Sequence, residues 1–177
     1  MSFGFLRFLK PFSLYIMPFS YCLLLMLFMM VPLPIASISS IKPFLPFIPL
    51  YIYAIYLNQD RFSYGFVFLV GFLSDLLFYP LGVMTFVTLL YYLAVSSQIK
   101  NFYGKSFTVV FAGFCLFTFI AVLVQWLVIS IYHAQFFPFL MPFFSYLCLI
   151  CLYFPFSLIA LKITSVLKKE GGYDPRF

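Results

Sequence analysis

From residue 109 to residue 128 the chain carries no charged side chain, and residues 21–34 form a second solid apolar run. Uninterrupted runs of this length restrict the fold more than any motif does. A transmembrane β-strand alternates apolar and polar positions over about ten residues, so these segments read as helices. Composition decides what surrounds them, because the chain is 66% hydrophobic and 8% charged, with 10 Lys plus Arg against 4 Asp plus Glu in 177 residues. A soluble domain is about a quarter charged and about half apolar. A 20.6 kDa globule has too little interior to hide this much apolar surface. Disordered, collagen-like, coiled-coil and disulfide-scaffold readings fail on the same numbers. The expected fold is an all-α polytopic membrane protein, in which lipid takes the apolar side chains.

A spanning helix needs about 20 residues, so six of them nearly exhaust the chain. The expected spans are about 12–36, 44–57, 62–79, 81–97, 107–132 and 139–166, a single membrane domain followed by a short tail at 167–177. Arg7 and Lys10 precede the first run in the charge layout of a signal peptide. That run is longer than the roughly 7–15 apolar residues of a signal core, so it reads as a retained anchor, kinked or started late by Pro18. The second span is short and punctuated by Pro43, Pro46 and Pro49, and the polar cluster from Asn58 to Arg61 ends it. Pro80 and Gly82 alone mark the turn between the third and fourth.

Charge tests the short second span, since short cytoplasmic loops collect Lys and Arg. With six spans and both termini cytoplasmic, the inner face holds Arg7, Lys10, Arg61, Lys100, Lys105, Lys162, Lys168, Lys169 and Arg176, and the outer face holds Lys42 alone. If residues 44–57 did not cross, every basic residue after Lys42 would change sides. The orientation rule therefore favours six spans. It also explains the net charge of +6 without nucleic acid, because the basic residues are dispersed among inner loops and make no phosphate-binding face. The Lys168 and Lys169 pair suits anionic inner-leaflet lipid of the bilayer.

Few residues offer chemistry. Cys148 and Cys151 have C-x-x-C spacing but lie within a span, with no second pair and no histidine pair, so they read as small hydrophobes, as do Cys22 and Cys115. No metal and no cofactor is expected. His133 is the sole histidine and falls in the outer loop after the fifth span. Four acids and one histidine assemble neither a nucleophilic triad nor a carboxylate pair, so the chain is not expected to be an enzyme. Asp75 differs, because it alone of the acids lies inside a span, where an ionisable side chain is costly. At about 1.5 Å per residue it lies roughly 7–8 Å inside the turn at Pro80. Its expected partners are Lys42, His133, or the free N–H groups that open the fourth span around Gly82 and Val83. It could pin the turn, dock a partner helix, or handle a proton or substrate. Gly65 and Gly71 allow close helix approach. Gln125 reads as an interhelical hydrogen bond and Trp126 as packing.

Residues 65–94, GFVFLVGFLSDLLFYPLGVMTFVTLLYYLA, resemble the most recognisable part of the rod shape-determining protein MreD family. The pattern consists of Gly71, Asp75, then Pro80, Leu81 and Gly82, and an apolar span closing on Tyr91 and Tyr92. The proline-marked entry at residues 43–46 and the polar break at 58–61 are also similar to that family; beyond Tyr92 only hydropathy matches. The resemblance implies a six-helix bundle similar in shape to the substrate-binding subunits of energy-coupling factor transporters. It implies a non-enzymatic role in the bacterial cytoplasmic (inner) membrane, within the machinery of cell elongation. Implied partners are a bitopic MreC-like protein and, through it, MreB filaments and the synthases of lateral peptidoglycan. Gly71, Asp75, Pro80, Leu81 and Gly82 are the candidate motif and partner-binding residues. The competing class is a small-molecule carrier of vitamin type, which needs a polar pocket; Asp75, Thr85, Thr88, Thr118, Gln125 and Ser145 are the residues that could line one.

Overall fold

Every element among the described residues is helical. The computed structural model describes residues 17–29, 43–56, 64–102 and 104–170. In chain order the helices are α1 (Met17–Met29), α2 (Phe47–Tyr56), α3 (Tyr64–Phe78), α4 (Val83–Ser97), α5 (Ile99–Phe102), α6 (Phe107–Tyr132) and α7 (Leu140–Glu170). The fifth expected span and α6 have the same limits. The ends of the first and second expected spans, the start of the third and residues 171–177 of the tail fall outside the described residues, as does Lys42. Two helical stretches, Phe107–Tyr132 and Leu140–Ser165, are long and apolar enough to cross a membrane. The others are shorter: α3 and α4 have 15 residues each, about 22 Å at the standard rise.

The short α2 occupies the middle of the bundle. All of its residues from Phe47 to Ile55 are buried, and it packs on α4, α5, α6 and α7. Around it the other helices touch in sequence. Helix α3 lies on α4, α4 on α6 and α6 on α7. The ring is completed by α1, whose Tyr21 hydroxyl donates to the Phe156 carbonyl of α7 at 2.9 Å and whose Phe19 ring meets Phe66 of α3 edge-on at 5.9 Å. Within the expected second span of residues 44–57, α2 (Phe47–Tyr56) thus forms the core helix of a five-helix jacket. At 10 residues the helix α2 itself is about 15 Å long.

Local chemistry explains why α2 begins where it does. Pro46 and Pro49 occupy its approach and first turn, where backbone N–H groups have no intrahelical partner and a missing donor costs nothing. The turn before it closes through Leu45 N–H to Pro43 O at 2.9 Å and Ile48 N–H to Leu45 O at 3.0 Å. Tyrosines then bind α2 to its jacket: Tyr51 donates to the Val110 carbonyl at 2.7 Å, and Tyr91 of α4 donates to the Phe47 carbonyl at 3.4 Å. Ring packing fills the space between, with Phe47 and Tyr91 centroids 4.6 Å apart and Phe114 and Tyr153 at 4.3 Å.

The outer surface is unlike that of a water-soluble domain. Ser74, Asp75, Thr88, Thr118 and Ser157 are buried, while Leu24, Leu76, Leu93, Leu116 and Phe154 are exposed on α1, α3, α4, α6 and α7. Every helix of the jacket has an apolar outer face.

Candidate functional site

Helix α3 presents Gly71, Ser74 and Asp75 on one buried face, and at Gly71 it lies close against the backbone of α4. A methyl group on Gly71 would stand 2.6 Å from the Thr85 Cα and would also collide with the Thr88 hydroxyl. Only a residue without Cβ lets the two backbones come this close. Thr88 turns its hydroxyl back to the Met84 carbonyl at 2.7 Å, which keeps that polar group satisfied under Gly71.

One turn further along, α3 ends with Tyr79 N–H donating to the Asp75 carbonyl at 3.4 Å, and Pro80 terminates it by lacking a donor. The chain reverses through Leu81 and Gly82. Gly82 has φ 92°, a left-handed backbone that glycine adopts at little cost. Nothing lies within 4 Å of where its Cβ would be, so torsion alone sets the requirement. Leu81 points out of the bundle at 69% exposure.

Gly82 is the N-cap of α4 and has no side chain to cap it. Asp75 supplies the missing cap from the preceding helix. Its Oδ1 accepts from Met84 N–H at 2.6 Å. Its Oδ2 accepts from Gly82 N–H at 3.0 Å, from Thr85 N–H at 3.0 Å and from the Thr85 hydroxyl at 2.5 Å. A helix start leaves its first N–H groups unpaired and carries the positive end of the backbone dipole. A buried carboxylate without partners would be very costly; here four donors and the dipole offset its desolvation. Asp75 is 3% exposed.

Lys42 lies outside the described residues; of the other two partners the sequence suggested for Asp75, the α4 N-terminus engages it. His133 stands exposed elsewhere, edge-on to Tyr132 at 5.2 Å and to Phe137 at 5.7 Å. Gly71, Asp75, Pro80 and Gly82 come together in one clamp, with Leu81 at its outer rim. Thr85, read from sequence as cavity lining, is instead the fourth donor to the carboxylate. Its signal was present: it follows Asp75 by ten residues and occupies the third position of the next helix, where a cap is read. Gly65 lies on an exposed part of α3, away from the close approach.

The remaining polar candidates are also spent inside the bundle. Thr118 pairs with the Tyr91 hydroxyl at 3.5 Å, and Gln125 hydrogen-bonds Tyr79 at the end of α3, which makes it interhelical. Trp126 does more than pack, because its indole N–H donates to the Phe137 carbonyl at 2.9 Å. Cys148 and Cys151 are free thiols exposed on α7. Among the described residues no group of three His, Cys, Asp or Glu could hold a metal ion.

Asp75 accepts four hydrogen bonds, one on Oδ1 and three on Oδ2. Chemically the site is therefore a latch that fixes α3 against α4. Comparison with protein-family models, with curated proteins and with solved structures gives no match to this chain.

Proposed function

We propose that this chain is a multi-pass protein of the bacterial cytoplasmic membrane, a non-enzymatic member of the cell-elongation machinery that works by binding a single-helix MreC-like partner. In this reading six segments cross the bilayer, both termini are cytoplasmic, and MreB filaments and peptidoglycan synthases are reached through the partner. Membrane residence is supported by two membrane-length apolar helices and by a jacket whose outer faces are apolar while its polar groups point inward.

One observation carries the assignment within that class. The residues by which the chain resembles the MreD family, Gly71, Asp75, Pro80 and Gly82, are those that build the latch between α3 and α4. The motif thus has a physical reason to be one unit: close approach, cap, helix stop and left-handed turn each need the residue type present. A rigid α3–α4 pair with Phe68, Phe72 and Leu76 on its outer face offers a packing surface for a partner helix, where association depends on shape because hydrophobicity gives no drive in lipid. A vitamin carrier would need free polar groups within the bundle, whereas Asp75, Thr85, Thr88 and Thr118 are already hydrogen-bonded.

Depletion in the native rod-shaped host tests this. Cells should round up as the protein disappears, and affinity purification should bring down a bitopic membrane protein. Retention of rod shape, or stoichiometric binding of a vitamin to the purified protein, would replace the elongation reading.

A further inference from the structure

The last turns of α6 and the segment joining it to α7 expose more large apolar side chains than a stretch lying in water would. At about 1.5 Å per residue, the step along α6 from Phe107, just past Lys105, to Trp126 covers about 28 Å. The step along α7 from Leu140 to Lys162 covers about 33 Å. Both helices thus fit a hydrocarbon layer of about 30 Å with the lysines at its inner edge and with Trp126 and Leu140 at its outer edge. Residues 127–139 then lie beyond the hydrocarbon. They nevertheless expose Ile131 at 76%, Tyr132 at 63% and Phe136 at 86%.

The fold holds these rings outward. Helix α6 closes with Gln135 N–H to Ser130 O and Ala134 N–H to Ile131 O, both at 3.1 Å, and Ala134 accepts a left-handed φ of 50° to do so. The bond from the Trp126 indole to the Phe137 carbonyl bends the loop back to the level of Trp126. Trp126 itself meets Phe139 edge-on at 5.5 Å and Phe136 at 6.3 Å. The result is a low ridge of Trp, Tyr, His and Phe rings lying across the end of the bundle. Amphipathic rings of this kind are favoured where one side is apolar and the other wet, at the level of lipid headgroups.

We propose that residues 127–139 form an aromatic hood seated in the headgroup layer of the outer leaflet, with phospholipid as its partner. The headgroup layer adds about 5–7 Å to each side of the hydrocarbon, so the overhang of about 9 Å from Trp126 to Tyr132 carries the ridge through that layer. The hood sets how deep α6 and α7 sit. It rests on the membrane-spanning part of the proposed function and is independent of the elongation role.

The chain has a single tryptophan, which supplies the probe. The purified full-length protein and its Phe136→Trp variant are placed in phosphatidylcholine vesicles carrying lipids brominated either near the glycerol or near the chain end. The emission added by Phe136→Trp should be blue-shifted relative to tryptophan in water, weakened more by shallow than by deep bromine, and resistant to aqueous iodide. Emission that is water-like, sensitive to iodide and untouched by brominated lipid overturns the hood. So does shielding that appears only after a protein partner is added, which would make the ridge a protein-binding surface. Trp126 in the unmodified protein separates this failure from failure of the membrane reading, since its emission must respond to brominated lipid wherever the loop lies.

Discussion

Four donors converge on the Asp75 carboxylate, and that geometry dictates what an isosteric amide would do in its place. Asparagine keeps one acceptor oxygen but turns the other position into a donor. With its NH2 on the Oδ2 side, it would face the N–H groups of Gly82 and Thr85 and the Thr85 hydroxyl; on the Oδ1 side it would face Met84 N–H. Either way buried donors are left unpaired, and Asp75→Asn should lower stability by about 2–4 kcal/mol. Thermal unfolding in detergent measures it; an unchanged midpoint would mean that the latch does not support the fold. Asp75 could be singled out in the sequence because a lone acid within an apolar span is costly. Its four donors could not, because three of them are backbone groups whose direction depends on the left-handed turn at Gly82.

At the scale of the element, α2 is where the structure adds most to the sequence. Its residues are as apolar as those of a lipid-facing helix, and hydropathy does not distinguish burial in protein from exposure to lipid. The helix could be read from its apolar run and its proline-marked entry; its central position depends on five other helices and could not. The same limit applies to α5, four residues of Ile, Lys, Asn and Phe that are too few to show a period. By contrast α6 was legible end to end, since Ser106 and His133 bracket a mostly apolar run without a charged residue. The start of α4 moves from residue 81 to Val83 because Gly82 is its cap. Centrality has an energetic consequence. Phe47 is fully buried between Phe44 at 4.8 Å and Tyr91 at 4.6 Å, so Phe47→Ala should open a cavity costing about 3 kcal/mol. Leu76→Ala, on the exposed side of α3, should stay within about 0.5 kcal/mol of the parent. Chemical denaturation of the two variants side by side checks the contrast, and equal losses would remove α2 from the core.

For the whole molecule, the proposed orientation makes Lys100 and the C-terminus both cytoplasmic. Reporter fusions at these two positions should read inside, and an outside signal at Lys100 would reverse the chain from α2 onward. The arrangement of the jacket also bears on how the protein comes to exist. Helix α2 is made before α3, α4 and α6, and α7, which packs against it and closes the ring onto α1 through Tyr21 and Phe156, is made after all of them. A ribosome delivers the core before it delivers the wall. Nascent chains stopped before residue 140 must therefore leave α2 without one side of its shelter, and the bundle can reach its final form only after α7 has been made.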